Sequence, residues 1–168
     1  GGSFGMKSGP LREECAVFWA ARRLGRPVRW QATRMETFLS DEAGRDMMVS
    51  ARLGLDAEGI FTALQVTLTV NVGAYASGRS TPPTLNLGGI AGVYRTPRIA
   101  GEIIGLFSHS APTAPYRGAG RPEASYALER VIDIAAREMG IDPFEMRRRN
   151  LVPTEAMPYR TPFIFTYD

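Results

Sequence analysis

Apolar and polar residues alternate in two neighbouring stretches in the middle of the chain. The apolar positions of the first stretch are Met47, Val49, Ala51, Leu53 and Leu55. One face of the second stretch collects Ile60, Thr62, Leu64, Val66, Leu68 and Val70. Residues 56–59, Asp-Ala-Glu-Gly, supply a turn between the two. A period of two predicts strands, so we expect a long antiparallel hairpin from about Arg45 to Asn71 with one buried face.

The region before the hairpin has the composition of helices. Residues 11–24 are rich in apolar residues and helix formers, and Gly25 follows as a C-cap, which predicts a mostly buried helix. Residues 27–32, PVRWQA, are typical of a short strand. Thr33 is suited to cap a brief helical turn directly after it.

The region after the hairpin begins with a loop-rich stretch, residues 73–92, in which we expect one helical turn around Leu85. Residues 99–108 then predict a strand, which runs into a glycine-rich loop at residues 114–121. A helix begins at once with Pro122 in its first turn, and it stops at Gly140.

The last predicted helix is short. Asp142 as N-cap and Glu145 three residues later form a capping-box pattern that opens a helix toward Leu151. The proline-containing tail beyond it predicts extended or irregular chain. Because no internal repeat or linker divides the sequence, the predicted architecture is a single α+β unit.

Composition narrows the functional classes. With 168 residues, 44% hydrophobic and 22% charged, the chain is globular, and its net charge of +3 is too small and scattered to indicate nucleic-acid binding. Residues 147–149 are three successive arginines, which we interpret as a solvated last helical turn favoured by the helix dipole.

No apolar run approaches the length of a membrane span and no signal peptide is evident, so the cytoplasm is the expected compartment.

Two scarce residue types bear on metal sites. Cys15 is the only cysteine and His109 the only histidine, so we expect neither an iron-sulfur cluster nor a zinc site built by this chain alone. The chain also opens inside a glycine-rich loop without an initiator Met, which we interpret as a fragment boundary.

The candidate chemistry lies in two glycine-rich loops that each lead into a helix, at residues 1–10 and 118–122. Such loops let backbone N–H groups approach a ligand, and a helix N-terminus favours an anion. With Lys7, Arg117 and Arg121 nearby, they suggest a phosphate or a phosphorylated cofactor. Each loop alone is as typical of a tight turn, and the glycine spacing matches neither the Walker nor the Rossmann pattern.

Several motifs together resemble one family. GGSFGMK is similar to the GGxFGxK loop of the large subunits of molybdenum hydroxylases, the xanthine dehydrogenase and aldehyde oxidase family, and PYRGAGRPEA resembles their arginine-and-glycine loop. RPVRW, YRTP, APT and DPFEMRRRNL follow the family order, so the resemblance runs from Gly1 to about Leu151. It implies that residues 1–168 are part of a molybdopterin-binding domain.

The resemblance implies roles for particular positions. In that family the two loops face the molybdenum pterin, so Phe4 and Gly5 would lie at the metal. Arg117 would stand beside the substrate pocket and the pterin, where it orients or polarises substrate. The backbone that would line the cofactor belongs to Gly2, Gly118, Ala119 and Gly120. No side chain of the chain is assigned as a metal ligand.

Departures from the family pattern argue against two specificities. Ala119 stands where purine-oxidising members carry a Phe, Ser8 where they carry a Glu, and the region of Leu85 where they carry a further Arg, which disfavours purines. Gly118 replaces the copper-binding Cys of carbon monoxide dehydrogenases, and Cys15 lies in a helix. The chain therefore resembles bacterial carbon monoxide dehydrogenase-like large subunits that lack the copper ligand.

The general base of the family, a Glu, belongs to a C-terminal segment outside this sequence. Glu123 and Glu145 are better interpreted as first-turn dipole and capping residues than as substitutes for it. We therefore expect the 168 residues alone to be inactive.

The resemblance implies that the parent protein hydroxylates an aldehyde or an aromatic N-heterocycle with oxygen from water. It further implies a cytosine dinucleotide form of molybdopterin, and iron-sulfur and flavin (FAD) groups on companion subunits. Two alternatives stay open from the sequence: a non-catalytic structural or interaction remnant of such a domain, and a small phosphate-binding module.

Overall fold

The computed structural model of the protein describes residues 2–80, 86–163 and 165–168. The helices and strands follow in the order α1 (Arg12–Leu24), α2 (Arg34–Ser40), β1 (Met47–Leu55), β2 (Phe61–Gly73), a 3₁₀ helix (Asn86–Ala91), β3 (Ile99–Phe107), α3 (Arg121–Met139), α4 (Pro143–Asn150), a second 3₁₀ helix (Thr154–Ala156), β4 (Tyr159–Arg160) and β5 (Thr166–Tyr167). This mixture confirms the predicted α+β class. The expected helical turn around Leu85 lies outside the described residues.

Strand β2 is the centre of a three-stranded sheet. It pairs antiparallel with β1 and parallel with β3, so that Leu68 lies opposite Val49 on one side and Ile103 on the other. Its apolar face is almost completely buried, as Leu64, Val66, Leu68 and Val70 are at most 3% exposed. The predicted hairpin is therefore confirmed as the β1–β2 pair, with one face inside the core.

The start of β2 departs from the expected alternation. Leu55 pairs with Phe61 and Gly54 with Ala63, so a bulge shifts the register by one residue. Phe61 is consequently in the core at 2% exposure, while Ile60 is 36% exposed at the turn. The prediction that Ile60 and Thr62 share the buried face was wrong, because strict alternation does not anticipate the extra residue of a bulge.

Helix α3 lies against the sheet core through its apolar face. The members of that face buried in the core are Ala124, Ala127, Leu128, Ile132, Ala135 and Ala136. The helix ends where Gly140 adopts a left-handed conformation, with φ of 66°, as a C-cap. Pro122 stands in its first turn, so both predicted ends are confirmed.

Helix α4 is tied to the hairpin turn by a buried amide. The side-chain oxygen of Asn150 accepts the N–H of Phe61 at 2.8 Å, and its nitrogen donates to the carbonyls of Gly59 and Met146, both at 2.9 Å. Asn150 is 1% exposed, so its hydrogen bonds are fully shielded from water. They satisfy backbone groups of the turn that would otherwise be buried without partners.

The charged residues of α4 form ion pairs that the sequence did not indicate. Asp142 caps the helix as predicted, but the carboxylate of Glu145 binds Arg148 and Arg149, at 2.7 and 2.8 Å, instead of returning to the cap. Arg148 is the larger cause that lowers the pKa of Glu145 to about 2. Arg147 pairs with carboxylates of α3, so the arginine triplet is more than a solvated helix end.

Helix α1 corrects another expectation. It spans the predicted residues and ends at Gly25, but none of its residues is buried, and Phe18 and Trp19 are 73% and 69% exposed. The prediction of a mostly buried helix was wrong, because composition shows that a face is apolar without showing what covers it.

None of the described helices is long and apolar enough to cross a membrane.

The segment between α1 and β1 is confirmed in part. Thr33 caps α2 as predicted: its hydroxyl accepts the N–H of Glu36 at 3.2 Å, and the Glu36 carboxylate accepts the N–H of Thr33 at 2.7 Å. Residues 27–32 form no strand, since no described strand lies beside them to pair with. The described residues after Leu151 are irregular except for a 3₁₀ turn and the two-residue strands β4 and β5.

We predict that Leu68→Ala lowers the free energy of unfolding by about 2–5 kcal/mol, the usual cost of a buried leucine cavity. Gln65→Ala, on the exposed side of the same strand, should change it by less than about 0.5 kcal/mol. Urea unfolding followed by far-ultraviolet circular dichroism measures both. Equal losses in the two variants would contradict the described register.

Candidate functional site

The first glycine-rich loop is organised by Ser3. Its hydroxyl oxygen accepts the N–H groups of Gly5 at 3.3 Å and of Lys7 at 3.2 Å. Phe4 and Gly5 have positive φ angles of 52° and 110°, a conformation that glycine adopts easily and phenylalanine rarely. The loop therefore turns sharply at Phe4, whose side chain is 57% exposed.

The second glycine-rich loop winds tightly into the first turn of α3. Gly118, Ala119 and Gly120 have successive positive φ angles of 91°, 40° and 90°. The N–H of Ala119 donates to the carbonyl of Tyr116 at 2.6 Å, and that of Arg121 to Gly118 at 3.1 Å. Two of the left-handed positions are glycine, which removes most of the steric cost of this winding.

The two loops are in direct contact through glycine. A Cβ atom on Gly5 would lie 2.6 Å from the carbonyl oxygen of Pro115 and 3.5 Å from the Cα of Tyr116. The backbones can approach so closely only because residue 5 has no side chain. The structure thus brings Phe4 and Gly5 beside the loop that carries Arg117 and residues 118–120, although they are separated by more than a hundred positions in sequence.

The expected cationic residues lie at the surface of this site. Arg117 is exposed, and its side chain makes no hydrogen bond or ion pair with any residue in the described part of the chain. Its carbonyl oxygen accepts a hydrogen bond from Arg45. Lys7 and Arg121 are also exposed. Arg117 therefore has a fixed backbone and a side chain that is available to a ligand.

Sequence reasoning missed a buried ion pair at the first loop. The Nε and Nη2 atoms of Arg79 each donate to one oxygen of the Glu42 carboxylate at 2.8 Å, and the two side chains are only 15% and 6% exposed. The hydrogen bond to Glu42 raises the pKa of Arg79 above its ordinary value. Arg79 also donates to the carbonyl of Gly9 at 3.1 Å, so it holds the loop directly.

Arg45 holds the second loop as Arg79 holds the first. The sequence analysis did not identify this residue either. Its Nε donates to Glu123 at 3.1 Å, its guanidinium carbon lies 4.5 Å from the centre of the Tyr116 ring, and it binds the carbonyl of Arg117. Glu123 is in the first turn of α3 as expected, but it is an ion-pair partner and not only a dipole residue. Its other carboxylate oxygen is buried without a hydrogen-bond partner among the described residues.

A cavity of about 720 Å³ lies beside the end of the first loop. Lys7, Ser8, Trp30, Tyr75 and Arg79 are among the residues that line it. Its volume is that of a site for a small organic molecule.

Among residues 2–80, 86–163 and 165–168, no group of three or more His, Cys, Asp or Glu side chains is placed to hold a metal ion.

Comparison with known proteins gives a consistent result. Residues 1–151 match the family model of the molybdopterin cofactor-binding domain. The chain is 37% identical over 162 residues to the 6-hydroxypseudooxynicotine dehydrogenase complex subunit gamma of Paenarthrobacter nicotinovorans, covering 95% of this chain and 20% of that protein. It therefore spans about a fifth of the length of this curated relative.

Solved structures show the same arrangement. Quinoline 2-oxidoreductase from Pseudomonas putida 86 superposes with a TM-score of 0.91 at 35% identity, over 99% of this chain and 22% of that one. The reconstituted CO dehydrogenase of Oligotropha carboxidovorans gives a TM-score of 0.93 at 27% identity, over 100% and 21%. The fold described above is the fold of the matching segments of those proteins.

We predict that Gly5→Ala lowers the free energy of unfolding by about 1–3 kcal/mol, because the new Cβ meets the Pro115 carbonyl at a backbone conformation that alanine resists. Gly89→Ala is the matched control, since a Cβ there meets nothing within 4 Å. Urea unfolding and limited proteolysis of the first loop measure the effect. If Gly5→Ala were as stable and as resistant as the control, the two loops would not be in contact in solution.

Proposed function

The chain belongs to the molybdopterin cofactor-binding domain family of molybdenum hydroxylase large subunits, and we propose that residues 2–10 and 114–121 form one side of its cofactor site. The observation that carries the proposal is the contact between Gly5 and the Pro115 carbonyl, which joins the two loops into one surface. The remaining wall of the site would come from the other parts of the parent subunit.

The residues present fit such a cofactor. Gly5, Gly118 and Gly120 allow the positive φ angles with which the two loops turn, so that backbone rather than side chains would meet the cofactor. The exposed cations of the loops would complement phosphate groups. The unpartnered, buried carboxylate oxygen of Glu123 would accept an N–H group, of which a pterin carries several.

The two loops would have different roles toward the cofactor and the substrate. When bound, the cofactor supplies the molybdenum redox chemistry that adds oxygen from water to the substrate and removes two electrons. We propose that Phe4 and the Gly5 backbone lie next to the metal, and that Gly2 and residues 118–120 line the pterin. Arg117 would orient the substrate and complement negative charge that develops on it, because its guanidinium is always ionised and offers a rigid fork of donors.

We propose an aldehyde or an aromatic N-heterocycle as the substrate of the parent enzyme. The support is that one structural relative acts, by its name, on quinoline, an N-heterocycle. The absence of a copper-binding Cys at Gly118 disfavours copper-dependent oxidation of carbon monoxide. The absence of a Phe at Ala119 and of a Glu at Ser8 disfavours purine oxidation. The cavity beside Ser8 has space for a substrate of either proposed class.

The finer identity of the cofactor and partners is also a proposal. We infer the cytosine dinucleotide form of molybdopterin, whose added phosphates would suit the basic loops, and iron-sulfur and FAD groups on companion subunits in the cytoplasm. The relatives named as a complex subunit gamma and as a large chain support a multi-subunit assembly. Molybdenum and cytosine nucleotide analysis of the full-length complex tests this, since a non-catalytic remnant or a small phosphate-binding module would contain neither.

We predict that Arg117→Met in the full-length enzyme retains the molybdenum content and lowers turnover by about 100- to 1,000-fold, the usual scale for losing one preorganised donor. Arg130→Met, an exposed arginine on α3, is the matched control and should leave turnover unchanged. Loss of cofactor together with loss of fold would instead assign Arg117 a structural role. Full turnover would remove it from the site.

A further inference from the structure

Between α2 and β1 lies a segment of four residues, Glu42-Ala43-Gly44-Arg45, that contacts both glycine-rich loops. We call it the strut. At its first residue, Glu42 forms the bidentate pair with Arg79 at 2.8 Å. Arg79 donates in turn to the carbonyls of Gly9 and Pro10, at 3.1 and 3.3 Å. Because this pair is nearly enclosed, water competes weakly with it, and the first loop is held to the strut through Arg79.

At its last residue the strut holds the second loop. The guanidinium of Arg45 binds the carbonyl of Arg117 and the carboxylate of Glu123 at once, and it covers the ring of Tyr116. These contacts lie on both sides of residues 118–120. The side chain of Arg45 therefore joins the start of the second loop to the first turn of α3.

The middle of the strut is bound to the segment that enters the second loop, so a shift at one end of the strut is transmitted to the other end. Ala43 donates to the carbonyl of Pro112 at 3.1 Å and accepts the N–H of Ala114 at 2.8 Å, as a short parallel bridge. A Cβ on Gly44 would lie 2.8 Å from the Cβ of Tyr116, so glycine is required for this close approach. The strut and the start of the second loop are therefore joined by backbone contacts and are expected to move as one unit.

We propose that the strut couples the two glycine-rich loops, with Glu42 and Arg45 as positioning residues and Arg79 and Glu123 as their partners. It sets the separation of the loops, so a release at either end loosens both. This deepens the proposed function, because the two loops are its proposed cofactor site. The contacts themselves lie within the chain and exist whatever the loops bind.

The test is hydrogen–deuterium exchange of the full-length subunit in its complex, with the single variants Arg45→Gln and Arg79→Gln and the double variant. Each single variant should speed exchange in both loops, residues 3–10 and 114–121, by about tenfold or more, as expected for loss of charge-assisted hydrogen bonds that hold a local structure. The double variant should add little, because one released end already frees the strut. Exchange in β2 should stay at the wild-type rate.

Two further variants sharpen the experiment. Arg148→Gln removes a fork-like pair with Glu145 of similar length, 2.7 and 2.9 Å, which lies within α4 and outside the strut and both loops, and it should leave exchange in both loops unchanged. Arg45→Lys keeps the charge beside Glu123 and should recover part of the lost protection.

The proposal fails if each single variant loosens only its own loop, or if the effects of the two add fully in the double variant, since the contacts would then be independent tethers. It also fails if β2 loosens in parallel, which would make the pairs general determinants of stability. Molybdenum analysis of the same wild-type sample separates this result from the proposed function. A complex without molybdenum would contradict the proposed function, but it would not affect the conclusion drawn from the exchange rates.

Discussion

The burial of the apolar face of β2 beneath α3 is the interaction on which the other parts of the structure depend. β2 is the one described strand with neighbours on both sides, and its far end holds the chain that leads to the second loop. Near the end of β2, Thr113 donates its hydroxyl hydrogen to the carbonyl of Asn71 at 2.7 Å and its N–H to the carbonyl of Val72 at 3.2 Å. Because α3 must begin where that segment ends, packing in the core fixes where the second loop lies.

The two loops and the strut contain non-glycine residues in backbone conformations that L-amino acids rarely adopt. The non-glycine residues with positive φ in the described chain are Phe4, Arg45 and Ala119, and each lies in one of the loops or in the strut between them. Such a conformation costs of the order of 1–3 kcal/mol for each residue and persists only where neighbouring contacts enforce it. Strain of this kind concentrates at binding and catalytic sites, which agrees with the function proposed for the loops.

Much of this arrangement could be predicted from the sequence, where the signal is local. Alternation gave the hairpin, and Thr33 identified a helix start, because strand period and capping act over a few residues. The register near Phe61 could not be predicted, since a bulge exchanges it with Ile60 without changing composition. The Arg45–Glu123 pair joins residues 78 positions apart, and nothing in either local sequence indicates the other. The family motifs located the loops, but not the contacts that hold them together.

The exposed face of α1 has a consequence for observing this molecule. Its neighbourhood carries both tryptophans of the chain, Trp19 and Trp30, whose side chains are 69% and 43% exposed. The core beneath α3 contains neither. Indole emission moves to shorter wavelength when water is replaced by apolar contact, because the excited-state dipole is then less stabilised by solvent. Intrinsic fluorescence of this chain therefore reports on whether the surface around α1 is covered, and it is insensitive to the packing of the sheet core, which contains no tryptophan.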